Sequence, residues 1–103
     1  MKSNYLHEFP RFDDTLPTLE GFEDYSWHND ACPSLGKELP NGDFICIFVD
    51  YKDRELSDFA DLEGDLYARF RVGNNKSDGD YEVLFQSNNW EEIEQFVKNQ
   101  KDW

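Results

Sequence analysis

The stretch PNGDFICIFVDY, Pro40 to Tyr51, constrains this chain more than any other. Phe44, Cys46 and Phe48 alternate with Ile45, Ile47 and Val49, so an extended backbone puts apolar side chains on both faces. Such a strand belongs inside a sheet, covered on one side by its own chain and on the other by more chain or by a partner. The PNGD before it is a turn signature, because Asn41 and Gly42 tolerate positive φ. The turn joins a short strand, about Leu35 to Leu39, to the long one, about Phe44 to Tyr51.

Two further alternating runs follow. In LYARFRV (66–72), Leu66, Ala68, Phe70 and Val72 face one way and Tyr67, Arg69 and Arg71 the other. GNNKSDGD is a loop, and YEVLFQ (81–86) alternates again with Tyr81, Val83 and Phe85 inward, completing a hairpin. The chain closes on a helix, NNWEEIEQFVKNQ. Asn89 caps it, Glu92 stands at the capping-box position, and Trp90, Ile93, Phe96 and Val97 form one apolar stripe. That stripe needs a sheet beneath it. The pattern predicts an α+β fold: an antiparallel sheet of about four strands with a C-terminal helix packed on one face.

The 103 residues make one domain, 1–103, with no repeat and no linker. Residues 1–23 read as an arm or irregular segment, broken by Pro10 and Pro17, that can still pack down through Tyr5, Leu6, Phe9, Phe12, Leu16, Leu19 and Phe22. Residues 24–103 carry the sheet and helix. Only 38% of residues are hydrophobic, but nine Phe, five Tyr and three Trp supply large areas per residue. That aromatic content excludes a disordered acidic chain.

Formal net charge is -13, from 23 acidic and 10 basic residues. Such a surface repels nucleic acid and anionic membrane and favours a protein partner with a basic face. The acids concentrate in KDRELSDFADLEGD (52–65), where Asp53, Glu55, Asp58, Asp61, Glu63 and Asp65 form an acidic surface. Leu56, Phe59 and Leu62 allow a helical turn or two there. Arg69 and Arg71 are expected to form salt bridges with this segment. No secretory signal or membrane-length apolar run is visible, and the two cysteines form no CxxC pair, so a reducing cytoplasm is the expected compartment.

DYSWHNDACPSLG (24–36) holds the densest chemistry. His28 and Cys32 stand four apart, with Asp24, Asp30 and Ser34 close by, as a thiol nucleophile and its base would require. Pro33, however, disfavours helical backbone at Cys32. His28, Asp30 and Cys32 offer N, O and S donors, but structural zinc takes two separated ligand pairs, and DFADLEGD lacks EF-hand spacing. Ser26, Asn29, Asp30 and Ser34 can bond their own backbone, Trp27 can anchor in the core and Cys32 can fill an apolar gap. The stretch Trp27, His28, Asn29, Asp30, Cys32 and Ser34 therefore reads as a locked functional or structural loop, with no catalytic residue, metal or cofactor assigned.

SWHNDACPS followed by a hydrophobic strand and an acid-rich loop resembles a segment of small uncharacterised bacterial proteins from mobile gene cassettes and phage-derived islands. The similarity covers about residues 24–50 and extends to NNWEEIEQFV. It implies a bacterial, adaptive role and brings no known activity. The expectation is an acidic, non-catalytic binding protein, with a homodimer allowed by the doubly apolar strand. Two alternatives remain. One is a DNA-mimic inhibitor of a nucleic-acid-binding protein. The other is a small-molecule pocket protein or Cys/His hydrolase centred on His28 and Cys32.

Overall fold

The computed structural model describes residues 4–28, 30–53, 55, 68–100 and 103. Five strands form one antiparallel sheet in sequence order: β1 (Glu23–Asp24), β2 (Ser34–Glu38), β3 (Phe44–Val49), β4 (Phe70–Asn75) and β5 (Tyr81–Ser87). A four-residue helix, α1 (Tyr5–Glu8), precedes them and α2 (Trp90–Lys98) follows. The α+β class and the C-terminal helix on the sheet stand as expected, with one strand more. The extra strand, β1, is two residues long and pairs Glu23 with Gly36 and Asp24 with Leu35.

β3 is central. Its register puts Ile45, Ile47 and Val49 on one face with Leu35 of β2 and Phe70 and Val72 of β4. Ile45, Ile47, Val49 and Val72 are fully buried. Two elements cover this face. α2 inserts Ile93, also fully buried, sets Trp90 edge-on to Phe70 at 5.2 Å, and stacks Phe96 on Phe85 at 4.9 Å. The N-terminal arm adds Phe9, Phe12 and Leu16 to the same cluster, with Phe12 edge-on to Tyr5 and Tyr51.

The β2–β3 turn forms where PNGD predicts it. Gly42 takes φ of 92°, costly for any residue with a Cβ, and Asn41 accepts from the Asp43 amide. α2 is capped by Asn89, whose side chain accepts from the Glu91 amide. The capping box is relayed: the Asn89 amide donates to the Ser87 hydroxyl, and that hydroxyl donates to Glu92.

Two sequence readings shift. β4 runs Phe70–Asn75, not 66–72. Ala68 and Arg69 precede it, residues 66 and 67 lie outside the described residues, and the supposed loop residues Gly73, Asn74 and Asn75 are in the strand. Pairing with the strong β3 pulls them in, overriding their weak strand preference. The second shift is at β5. Val72 pairs with Phe85 but Gly73 pairs with Val83, so the register slips by one residue at Leu84. A bulge of this kind reverses the inside–outside sequence. Phe85 faces the core, while Tyr81 and Val83 turn to the other face and are exposed.

The arm is tied down by carboxylates. Asp13 accepts from the amides of Lys52 and Asp53 at 2.8 and 2.7 Å. Asp14 pairs with Arg69 at 2.9 Å, and Glu8 accepts from the amide and Nδ1 of His28. Against the desolvation that would raise it, these amides hold the Asp13 carboxyl below its ordinary value. The Arg69 hydrogen bond does the same for Asp14 and the His28 side chain for Glu8. The Ser77 amide and Asn74 depress Asp43.

Stability from these groups is complete above their unfolded values, 3.8 for the aspartates and 4.5 for Glu8, and is lost as pH falls through the lower folded values. Asp30 has the opposite sign, because burial raises it. With four such groups against one among the described residues, the urea midpoint is expected to hold above about pH 5 and to drop below about pH 4. A midpoint that stays flat or rises on the way to about pH 3 would contradict the clamps.

Candidate functional site

The second face of the sheet carries Phe44, Cys46 and Phe48 from β3, Gly36 from β2, Arg71 and Gly73 from β4, and Tyr81 and Val83 from β5. Three rings pack here where two glycines leave room. A Cβ on Gly36 would run into Phe44 and Tyr25, and one on Gly73 into Tyr81. Tyr25 and Phe44 meet edge to face at 4.9 Å. Cys46 is sealed beneath, its thiol directed at the Gly73 carbonyl and accepting from Asn75; burial pushes that thiol up. Tyr25, Tyr81 and Val83 remain 43%, 46% and 44% exposed. Among the described residues, neither helix nor arm reaches this face as α2 and the arm reach the other.

At one end of the open face lies a cavity of about 160 Å³. Ala31, Cys32, Phe48 and Ala68 make its apolar lining; Asp30, Asp50, Arg69 and Arg71 bring charge. Three segments meet here: the loop before β2, the end of β3 and the start of β4. Cys32 is 3% exposed. Asp50 is buried and accepts from the Tyr51 amide at 2.7 Å, while its carbonyl accepts from Arg69 Nε at 3.0 Å. Arg69 thus spans Asp50 and Asp14, bolting the arm to the cavity wall. Arg69 pairs with Asp14; most of the segment 52–65, to which bridges were expected, lies outside the described residues. Loss of solvent raises the Asp30 carboxyl above its ordinary value.

The loop 24–36 is divided by the structure. Ser26, not Trp27, is the buried anchor: its amide donates to Asp24 and its hydroxyl accepts from the Ser34 amide. Ser34 is itself buried at the start of β2. Trp27 is half exposed and lies 4.3 Å from the His28 ring. Phe9 and Phe12 of the arm, which the sequence allowed to pack down, lie in the core instead. His28 is directed to Glu8, with Nδ1 3.1 Å from Oε1. Asp30 and Cys32 reach the cavity; Asn29 lies outside the described residues.

Of the acidic surface, Asp53 and Glu55 are exposed, and Asp53 accepts from the Glu55 amide. Asp58, Asp61, Glu63 and Asp65 lie outside the described residues, as does the helical turn read from Leu56, Phe59 and Leu62. No cluster of three or more His, Cys, Asp or Glu suited to a metal ion occurs among the described residues. No helix among them is long and apolar enough to cross a membrane.

Sequence reasoning missed that Asp50 and Arg71 join the loop. The signal was present: each is a charge inside or directly after an otherwise apolar alternation. No protein-family model, curated protein or solved structure matches this chain.

Proposed function

We propose that the protein is a non-catalytic binding protein that presents the open face of its sheet to a basic protein surface. The observation that carries this reading is the group Tyr25, Phe44, Tyr81 and Val83 on one face, with Tyr25 and Phe44 packed edge to face over Gly36 and Tyr81 packed over Gly73. Exposed aromatics on a rigid sheet bury much area on binding at little entropic cost. The net charge of -13 selects the occupant. A second copy carries the same charge and is repelled, whereas a cationic partner is attracted from a distance.

Phosphate mimicry by the carboxylates is less favoured. Asp13, Asp24 and Asp43 are all engaged by backbone amides, so their positions serve the fold. A hydrolase centred on His28 and Cys32 is less favoured as well. The imidazole is held by Glu8 and the thiol is buried.

The test is a titration of the ¹⁵N-labelled protein with an alternating lysine–valine octapeptide. Amide shifts are expected at Tyr25, Phe44, Cys46, Tyr81 and Val83. Affinity should fall with added salt, and Tyr81→Ala should weaken it several-fold. Shifts confined to α2 and the arm would overturn the reading. So would salt-independent binding, or concentration-dependent self-association through this face.

A further inference from the structure

β5 ends the sheet, and the bonds on either side of β4 show which of its groups face outward. The Asp50 amide donates to the Arg69 carbonyl, and the Lys76 amide donates to the Asp80 carbonyl. In an antiparallel ladder, successive residues bond alternately to the two neighbouring strands. Arg69, Arg71, Gly73 and Asn75 therefore bond towards β3, and Phe70, Val72, Asn74 and Lys76 towards β5. The residues opposite the second set are Ser87, Phe85, Glu82 and Asp80. Tyr81, Val83 and Gln86 are left with their backbone N–H and C=O groups directed away from the sheet. Among the described residues, no backbone bond meets these groups.

The two edges of the sheet differ. β1 is two residues long, and its Asp24 side chain accepts from the Tyr5 amide of the arm. β5 is seven residues long and holds neither lysine nor proline, two of the usual means of blunting an edge. The bulge at Leu84 interrupts its far half, so the regular template runs through Tyr81 and Val83. These two residues also place exposed side chains on the open face. Charge selects what can pair there. Asp78, Asp80 and Glu82 are exposed along this hairpin, against Lys76, which pairs with Glu82 at 3.1 Å. A second copy would set the same carboxylates against themselves, whereas a basic segment is attracted.

We propose that the basic partner docks as an extended segment that adds to β5 as a sixth, antiparallel strand. The inference rests on the partner being a basic protein that docks on the open face, and it assigns the backbone contact that anchors it. Directly opposed residues of an antiparallel pair share a face. Partner residues opposite Tyr81 and Val83 therefore carry apolar side chains beside them on the open face, and their own N–H groups bond to β5. The alternate residues carry the cationic side chains beside Asp80 and Glu82, and their N–H groups point to solvent. Strand addition of this kind takes affinity from the main chain and selectivity from alternate side chains.

The probe is the alternating lysine–valine octapeptide in three forms: unmodified, N-methylated on its valines and N-methylated on its lysines. All three have the same charge. In the free protein, the Tyr81 and Val83 amides are expected to exchange with solvent faster than those of Glu82 and Phe85. Saturation with the unmodified peptide should slow Tyr81 and Val83 about tenfold. The lysine-methylated peptide should bind within about twofold of the unmodified one, and the valine-methylated peptide about tenfold more weakly.

Equal affinities of the two methylated peptides, or the reverse order, would overturn the inference. So would exchange at Tyr81 and Val83 that the bound peptide leaves unchanged. If all three peptides bind alike and shift Tyr25 and Phe44, the added strand is refuted and the open-face reading stands. If none binds, both fall. Self-association that slows Tyr81 and Val83 without peptide would assign the edge to a second copy and refute the basic segment.

Discussion

Replacing Ile47 by alanine is expected to destabilise the fold by about 2–5 kcal/mol, read as a shift in the urea midpoint followed by far-UV circular dichroism. Ile47 is fully buried at the centre of β3, paired with Leu35 on one side and Val72 on the other. The tightly packed sheet cannot collapse into the void, so the cavity adds to the lost transfer energy. Its neighbour Phe48 supplies the control. Phe48 is larger but only partly buried, on the open face. Phe48→Ala should cost less, about 1–2 kcal/mol, because part of its area is already in water. A cost for Phe48→Ala equal to that for Ile47→Ala would mean that both faces are covered, and the open-face reading would fail with it.

Phe12→Ala carries the second large effect, about 3–5 kcal/mol. Phe12 is 8% exposed and touches Tyr5 and Tyr51 edge-on. The next two residues, Asp13 and Asp14, hold Lys52, Asp53 and Arg69. Loss of the ring therefore loosens the arm where it is bonded to the sheet. For a domain of ordinary stability, about 5–15 kcal/mol, this is a large share. A loss below about 1 kcal/mol would show that the arm is an appendage and not part of the core. The unfolding slope discriminates further. An arm that comes away alone would lower the slope, whereas an integral arm leaves it unchanged.

The parts of the fold visible in the sequence were those written as local periodicity. β3 announced itself through six alternating apolar residues, its turn through Asn41-Gly42, and α2 through Asn89 and the stripe from Trp90 to Val97. What escaped was set by partners distant in sequence. The bulge at Leu84 has no local signature; it arises where β5 meets β4, and it decides that Tyr81 and Val83 face outward. Trp27 reads as an anchor on size alone, but the core was already filled by Phe9, Phe12 and Leu16 from the arm. Arg69 is held by Asp14, fifty-five residues away in sequence, a partner that no local pattern announces. Half of the candidate site was legible in Asp30 and Cys32. The other half, Phe48, Asp50 and Arg71, required the register of the sheet.

The strand order β1-β2-β3-β4-β5 has a kinetic meaning. Every strand pairs with its neighbour in the chain, so each pairing closes a loop and none waits for a distant segment to thread past another. β2 with β3 and β4 with β5 can zip from their turns within microseconds. The long interval is the one between β3 and β4, residues 50–69, and joining the two hairpins across it carries the largest loop-closure entropy in the sheet. Ile47 and Val72 meet across that junction. That connection also delivers Asp50 and Arg69 to the cavity, so the junction that completes the core is the one that forms the cavity wall.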